Sequence, residues 1–373
     1  MRWLAGLGGA WLLGVVLWDA FETIVLPRRV ARRVRLTRLF YRFTWRPFAA
    51  LARHVRAGAR REALLSFYAP LSLLLLLALW AAALVTGFGL LQYANGSDVR
   101  LSSGLSGFTT DLYLSGTTFF TLGLGDVVPL GTVARVLTVV EAGIGFAFLA
   151  IVIGYFPVLY QAFSHREVNI SLLDARAGSP PSAGELLRRY EGPSGVAALQ
   201  QLLHEWERWA AEVMETHLSY PLLAYFRSQH TNQSWLAALT TVLDTSALVM
   251  VGIEGACARQ ARLTFAIARH AAVDLAQVFG TPPGAVLEDR LPPDALARLR
   301  AVLATLDLPV VDETAAVERL AEARRMYEPY VAALSRHLLQ PLPAWVRAAP
   351  RRDNWEASMW GRAPLPEDRD EET

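Results

Sequence analysis

An all-α membrane protein with a helical soluble domain is predicted from three observations. Apolar runs at residues 3–26, 68–92 and 132–160 are each long enough to cross a hydrocarbon core of about 30 Å. Residues 27–62 hold twelve Arg and no acid before Glu62, the positive excess that cytoplasmic loops carry. Beyond residue 196 the apolar residues recur at helical spacing, with no strand alternation, no repeat and no βαβ rhythm.

The 373 residues suffice for a membrane module and a cytoplasmic domain of ordinary size. The apolar share of 53% is high for a wholly soluble chain. All 36 basic residues are Arg, and the net charge of +2 says less than its distribution. One cysteine, Cys257, excludes an intrachain disulfide and any Cys-based metal site. The Arg block lies between apolar runs, so no nucleic-acid partner is expected.

The first run, within residues 1–27, is expected to be a retained helix. One Arg precedes it, a dense basic block follows, and it lacks a small-residue cleavage site. Gly6, Ala10 and Gly14 form a small-residue stripe suited to close helix packing. Asp19 and Glu22 fall near its far end and are expected to pair with nearby Arg. In the basic linker, 28–65, Arg alternates with Leu, Phe, Tyr and Trp. This suits a helix lying in the headgroup plane, broken near Pro47, against anionic lipid. The block sets the expected orientation: N-terminus outside, linker and C-terminus inside. The run 68–92 is the next crossing, followed by a polar external loop from Gln92 to Gly107.

From Thr109 or Thr110 a short helix is expected to run to Phe119, its C-terminal partial negative charge favouring a cation. Thr121-Leu122-Gly123-Leu124-Gly125-Asp126 follows. A filter built from rings of backbone carbonyls strips an ion of its water. Successive carbonyls point the same way only if φ is positive at alternate residues, which glycine adopts at no steric cost. Gly123 and Gly125 meet that demand. Thr121 adds a hydroxyl at the inner mouth and Asp126 a carboxylate at the outer one.

At these residues the sequence resembles the potassium channel pore-domain superfamily, whose filter reads T-[VIL]-G-[YFL]-G-[DN]. Leu124 departs from the commonest Tyr, and GLGDVVP is similar to the tandem-pore potassium channels. The resemblance covers about residues 66–165. It implies a tetrameric pore module of outer helix, pore helix, filter and inner helix. Potassium is implied as the permeant ion, bound at Thr121, Leu122, Gly123 and Leu124. With one filter stretch per chain, a homotetramer is implied. Many relatives carry a Glu behind the filter that binds its Asp; Thr117 stands in that approximate place, which puts an acid pair in doubt here.

The run 132–160 is the inner helix. Gly143 and Gly145, then Gly154 and Pro157, are expected to weaken it at two levels and to serve as gating hinges. Glu141 lies deep in this run and is expected to brace the pore helix; Arg135 reaches the outer interface. Residues 166–195, with Ser179 to Gly184 (SPPSAG), read as a linker. Residues 196–349 read as a helical cytoplasmic domain, and 350–373 as a disordered tail. Residues 236–251 are apolar enough to suggest a fourth crossing. Asp244, Glu254 and several Thr and Ser argue for a buried core helix instead. No G-x-G-x-x-G follows a strand, so a nucleotide-sensing Rossmann-type domain is not expected. His217, Arg227, His230 and Asp244, polar in apolar surroundings, are candidates for a regulatory pocket. His204, Glu205, Glu212, Glu215 and His217 match no strong metal signature, and no nucleophilic-enzyme pattern is seen. No cofactor is expected.

The reading is a potassium-selective channel in a bacterial inner membrane, gated by the inner helix and regulated by the helical domain. Its rivals are a less selective cation channel and a membrane-anchored scaffold with a vestigial pore.

Overall fold

The computed structural model describes residues 2–26, 35–101, 107–192, 194–230, 232–252, 255–284, 288–305, 313–347 and 353–356. The protein is an all-α membrane protein. Among the described residues, four helices are long and apolar enough to span a membrane. The chain divides into two compact units. The first comprises Met1–Ala57 and Ala63–Gln161, the second Gly58–Glu62 and Ala162–Thr373.

In the first unit, α1 (Arg2–Ala20) continues as a π-helical turn, Phe21–Val25, and packs on α4 (Tyr68–Ala94). A Cβ at Gly9 would lie 2.6 Å from the Gly87 carbonyl, and one at Gly87 would lie 2.8 Å from Leu13. The close approach therefore runs through Gly9 and Gly87. Of the expected stripe, only Gly6 takes part, against Ala94; Gly14 has nothing within reach. Asp19 and Glu22 part company. Glu22 pairs with Arg35 at 3.4 Å and accepts from Trp18 Nε1 at 2.8 Å. Among the described residues Asp19 meets no Arg: it accepts from Thr37 N, Thr37 Oγ1 and Trp80 Nε1. Its carboxylate thereby satisfies an orphan amide in the first turn of α2 (Leu36–His54).

Pro47 lies inside α2 without ending it. One face of α2 packs on α4 through Trp45, Ala49 and Ala52, with the Trp45 and Tyr68 rings 4.7 Å apart. After α3 (Ala59–Ser66) and α4, β1 (Val99–Leu101) pairs antiparallel with β2 (Val127–Pro129). These short strands carry no alternation to predict them. Between them lies α5 (Phe108–Phe119), which starts one residue before Thr109, after Gly107 at φ +74°.

α6 (Thr132–Ala177) is continuous for 46 residues, well past Tyr160, and crosses from the first unit into the second. The stretch read as a linker thus contributes helix and core. Arg166, Asp174, Ser179 and Ser182 are buried, and Ser182 caps α7 (Ala183–Arg189).

The rest of the second unit comprises α8 (Gly195–Ser219), α9 (Trp235–Gly252), α10 (Ala256–Phe279), α11 (Pro293–Thr305) and α12 (Glu313–Leu338). α9 meets the length and hydropathy of a membrane span, yet 89% of its span window is buried inside the protein. It packs against α7, α8, α10 and α12. Thr240 and Thr241 satisfy their hydroxyls on carbonyls of the preceding turn. Asp244 meets Arg290 and Tyr327. Asp353–Glu356, within the stretch read as a tail, packs on this unit. Asp353 binds Arg189, Arg347 and Ser179 N, and Asp174 accepts from Trp355 N. The rest of that stretch, and Glu254, lie outside the described residues.

Candidate functional site

Thr121–Asp126 follows directly on the C-terminal end of α5. Positive φ falls on every second residue: Thr121 at +57°, Gly123 at +55° and Gly125 at +77°. Sequence reasoning found the two glycines and missed Thr121. A β-branched residue at positive φ is a strained outlier that its surroundings must hold. The hold is visible. Thr121 N donates to Thr118 O at 3.0 Å, Leu122 N to Thr117 O at 2.7 Å and Gly123 N to Thr117 O at 3.4 Å. In a trans peptide the carbonyl points opposite to its amide hydrogen. With the amides of Leu122 and Gly123 turned toward α5, the carbonyls of Thr121 and Leu122 turn away from it. The segment thus presents a row of carbonyl dipoles on one side, backed by a helix C-terminus.

Its C-terminal end is tied down. Asp126 accepts from Tyr113 on α5 at 2.8 Å and from Val127 N at 3.1 Å. The β1–β2 pairing and the Leu130 N to Asp98 O bond fasten the chain that follows. A phenol is thus among the partners of Asp126. Thr117, standing where an acid was considered, spends its hydroxyl on Leu114 O.

α6 supports the segment from behind. Gly145 lies against the end of α5, where a Cβ would sit 2.1 Å from Phe119 O. Gly143 and Gly154 have nothing within 4 Å, and Pro157 is inside the helix. At none of the four does α6 break. Glu141 reaches Ser115 on α5, the bracing expected of it. Tyr113 and Ser115 were missed. A buried membrane acid needs a partner, and the polar residues of α5, Ser115 among several, were the available signal.

Of the four residues grouped as a regulatory pocket, His217, Arg227 and Asp244 have separate hydrogen-bond and ion-pair partners. Among the described residues no hydrogen bond or ion pair joins any two of them. His217 is buried against Arg166 Nη1 at 3.2 Å and Val213 O at 2.8 Å. Arg227 binds Leu338 O at 2.5 Å, Leu339 O at 3.2 Å and Glu62 at 3.4 Å. His230 is exposed. Asp244 belongs to a buried network with Arg290 and Tyr327, and Arg290 also binds Glu328 and Pro343 O. Each buried group spends its hydrogen-bonding capacity on a separate partner, as burial requires. Arg166, which holds His217, Glu167, Leu223 O and Phe226 O, falls within the stretch 166–195 read as a linker. His204 is exposed near Glu207, on the surface away from buried His217. Among the described residues no group of three His, Cys, Asp or Glu is placed to hold a metal.

Residues 73–161 match the model of the family described as Ion channel. This supports an ion channel. The matched stretch takes in most of α4, all of α5, the Thr121–Asp126 segment and the part of α6 in the first unit. With the helices long and apolar enough to span, the match supports a multi-pass membrane protein of ion-channel type. Neither the comparison with curated proteins nor that with solved structures gives a match.

Proposed function

We propose that the protein is a potassium-selective channel that conducts passively through a pore made by four copies of the chain. The alternation of positive φ at Thr121, Gly123 and Gly125 carries this reading, because it aligns successive carbonyls to replace an ion's water shell. Thr121, Leu122, Gly123 and Leu124 supply the coordinating carbonyls. One chain brings one such segment and leaves Phe120, Leu122 and Leu124 exposed beside the apolar residues Val136, Val139 and Phe146 of α6. That surface is what further copies of the chain would cover.

The orientation follows from the Arg block: the N-terminus and filter mouth outside, α2 and the second unit inside a bacterial inner membrane. The exposed face of α2 carries Arg38, Arg42, Arg46 and Arg53 beside Leu39, Phe43 and Leu51. Basic and apolar side chains together suit anionic headgroups above acyl chains. The second unit, through which α6 continues, is the regulatory part, with α6 as the gate.

The test is ion flux through purified protein in liposomes, with reversal potentials in mixed potassium and sodium. Selective potassium current is expected, and Gly123→Ala abolishes it, since alanine at φ +55° is strained by about 1–2 kcal/mol. Selective current retained in that variant removes the filter assignment. Equal passage of sodium favours the less selective channel, and no current favours a scaffold.

A further inference from the structure

Three helices of the first unit meet at one hydroxyl. Ser115 Oγ on α5 lies 2.7 Å from the carbonyl oxygen of Val85 on α4 and in short contact with Glu141 Oε1 on α6. Both side chains are fully buried. A serine hydroxyl has one proton to donate, and Val85 O has none. Were Glu141 a carboxylate, one of the two contacts would set two oxygens together with no hydrogen between them. Glu141 Oε2 has no hydrogen-bond partner among the described residues, and no ion pair among them reaches this carboxyl. An unpaired buried charge is far more costly than an orphaned neutral carbonyl.

We propose that Glu141 is a neutral carboxylic acid that donates its proton to Ser115 Oγ, so that Ser115 donates its own to Val85 O. This two-bond relay positions α5 between α4 and α6. The role given to it rests on the reading of Thr121–Asp126 as the filter. Thr117, two residues beyond Ser115, holds the Leu122 and Gly123 amides through its carbonyl, so a shift of α5 passes directly to the filter. Glu141 touches no ion; it is a positioning residue.

Infrared difference spectra of the full-length protein in lipid, wild type against Glu141→Gln, test the proton. The carbonyl stretch of a protonated carboxylic acid is expected in the wild type and lost in Glu141→Gln. Absence of that band overturns the proposal. Potassium flux tests the positioning. Glu141→Gln retains it within about twofold, since its amide can donate to Ser115 Oγ, whereas Glu141→Ala and Ser115→Ala each lower it by roughly tenfold. Full flux in both alanine variants overturns the positioning role. Absence of flux in the wild type overturns the filter reading instead, and leaves the infrared band to decide the state of Glu141 alone.

Discussion

Gly145 is held by contact. Its missing Cβ lets α6 approach Phe119 O, just before the Thr121–Asp126 segment, whereas the equivalent space at Gly143 is open. Gly145→Ala should therefore lower both thermal stability and potassium flux, the overpacking costing about 1–3 kcal/mol. Gly143→Ala should leave the melting temperature unchanged or raise it, since helix interiors prefer alanine. Equal, unchanged melting temperatures would favour a hinge role at Gly145 over close packing. Asp244 presents a different residue-level problem. It is wholly buried with Arg290, whose guanidinium also lies 5.7 Å from the Trp345 ring. Burial lowers the Arg290 pKa, but the Asp244 charge outweighs it and raises the value above that of free arginine. Asp244→Ala removes the fully buried partner of that cation and leaves it Glu328 at 3.3 Å, a loss of about 3 kcal/mol, the low end for a broken buried pair. Denaturation of the full-length protein in detergent reads this loss.

At the scale of elements, α6 and α8 are joined where Arg166 meets His217. Desolvation, and next the Arg166 charge, hold the His217 pKa well below 6.5. The folded form thus stays neutral at a pH where the unfolded chain takes up a proton. Below about 6.5 the unfolded state binds more protons, so stability falls as the solution is acidified toward the folded-state pKa. His217→Gln, whose side-chain oxygen can still accept from Arg166, should flatten this part of the melting temperature against pH. An unchanged profile would place the acid sensitivity elsewhere. A second fastening lies at the C-terminal end of α6. There Asp353 accepts from Ser179 N at 3.0 Å and Trp355 N donates to Asp174 at 3.1 Å, so a late piece of chain closes over the helix end.

For the whole molecule, the chain carries one Thr121–Asp126 segment and exposed apolar residues on α6, which the proposed fourfold pore would cover. The expected native mass in mild detergent is that of four chains of 41.1 kDa each. A stable monomer or dimer that still conducts selectively would contradict the fourfold pore. The second unit gathers Gly58–Glu62, just before the outer helix, together with everything after Gln161. Glu62 meets Arg227 within it, so chain on either side of the pore domain belongs to one helical body.

The sequence by itself determined what depends on local properties of the chain. Hydropathy and length located three helices apolar enough to span a membrane, and glycine spacing marked two positions of positive φ. It also read α9 as a core helix, since Asp244 and its hydroxyl neighbours would be costly in lipid, and most of α9 is buried inside the protein. Tertiary structure decided the partners of buried polar groups. Tyr113 for Asp126, Ser115 for Glu141, Thr37 and Trp80 for Asp19, and Arg166 for His217 are pairings from 13 to 61 residues apart. No periodicity encodes them. They are selected by the need to satisfy every buried donor and acceptor once the helices have packed. The same need dispersed His217, Arg227 and Asp244 into separate networks, and it holds Thr121 in a backbone conformation that its own side chain disfavours.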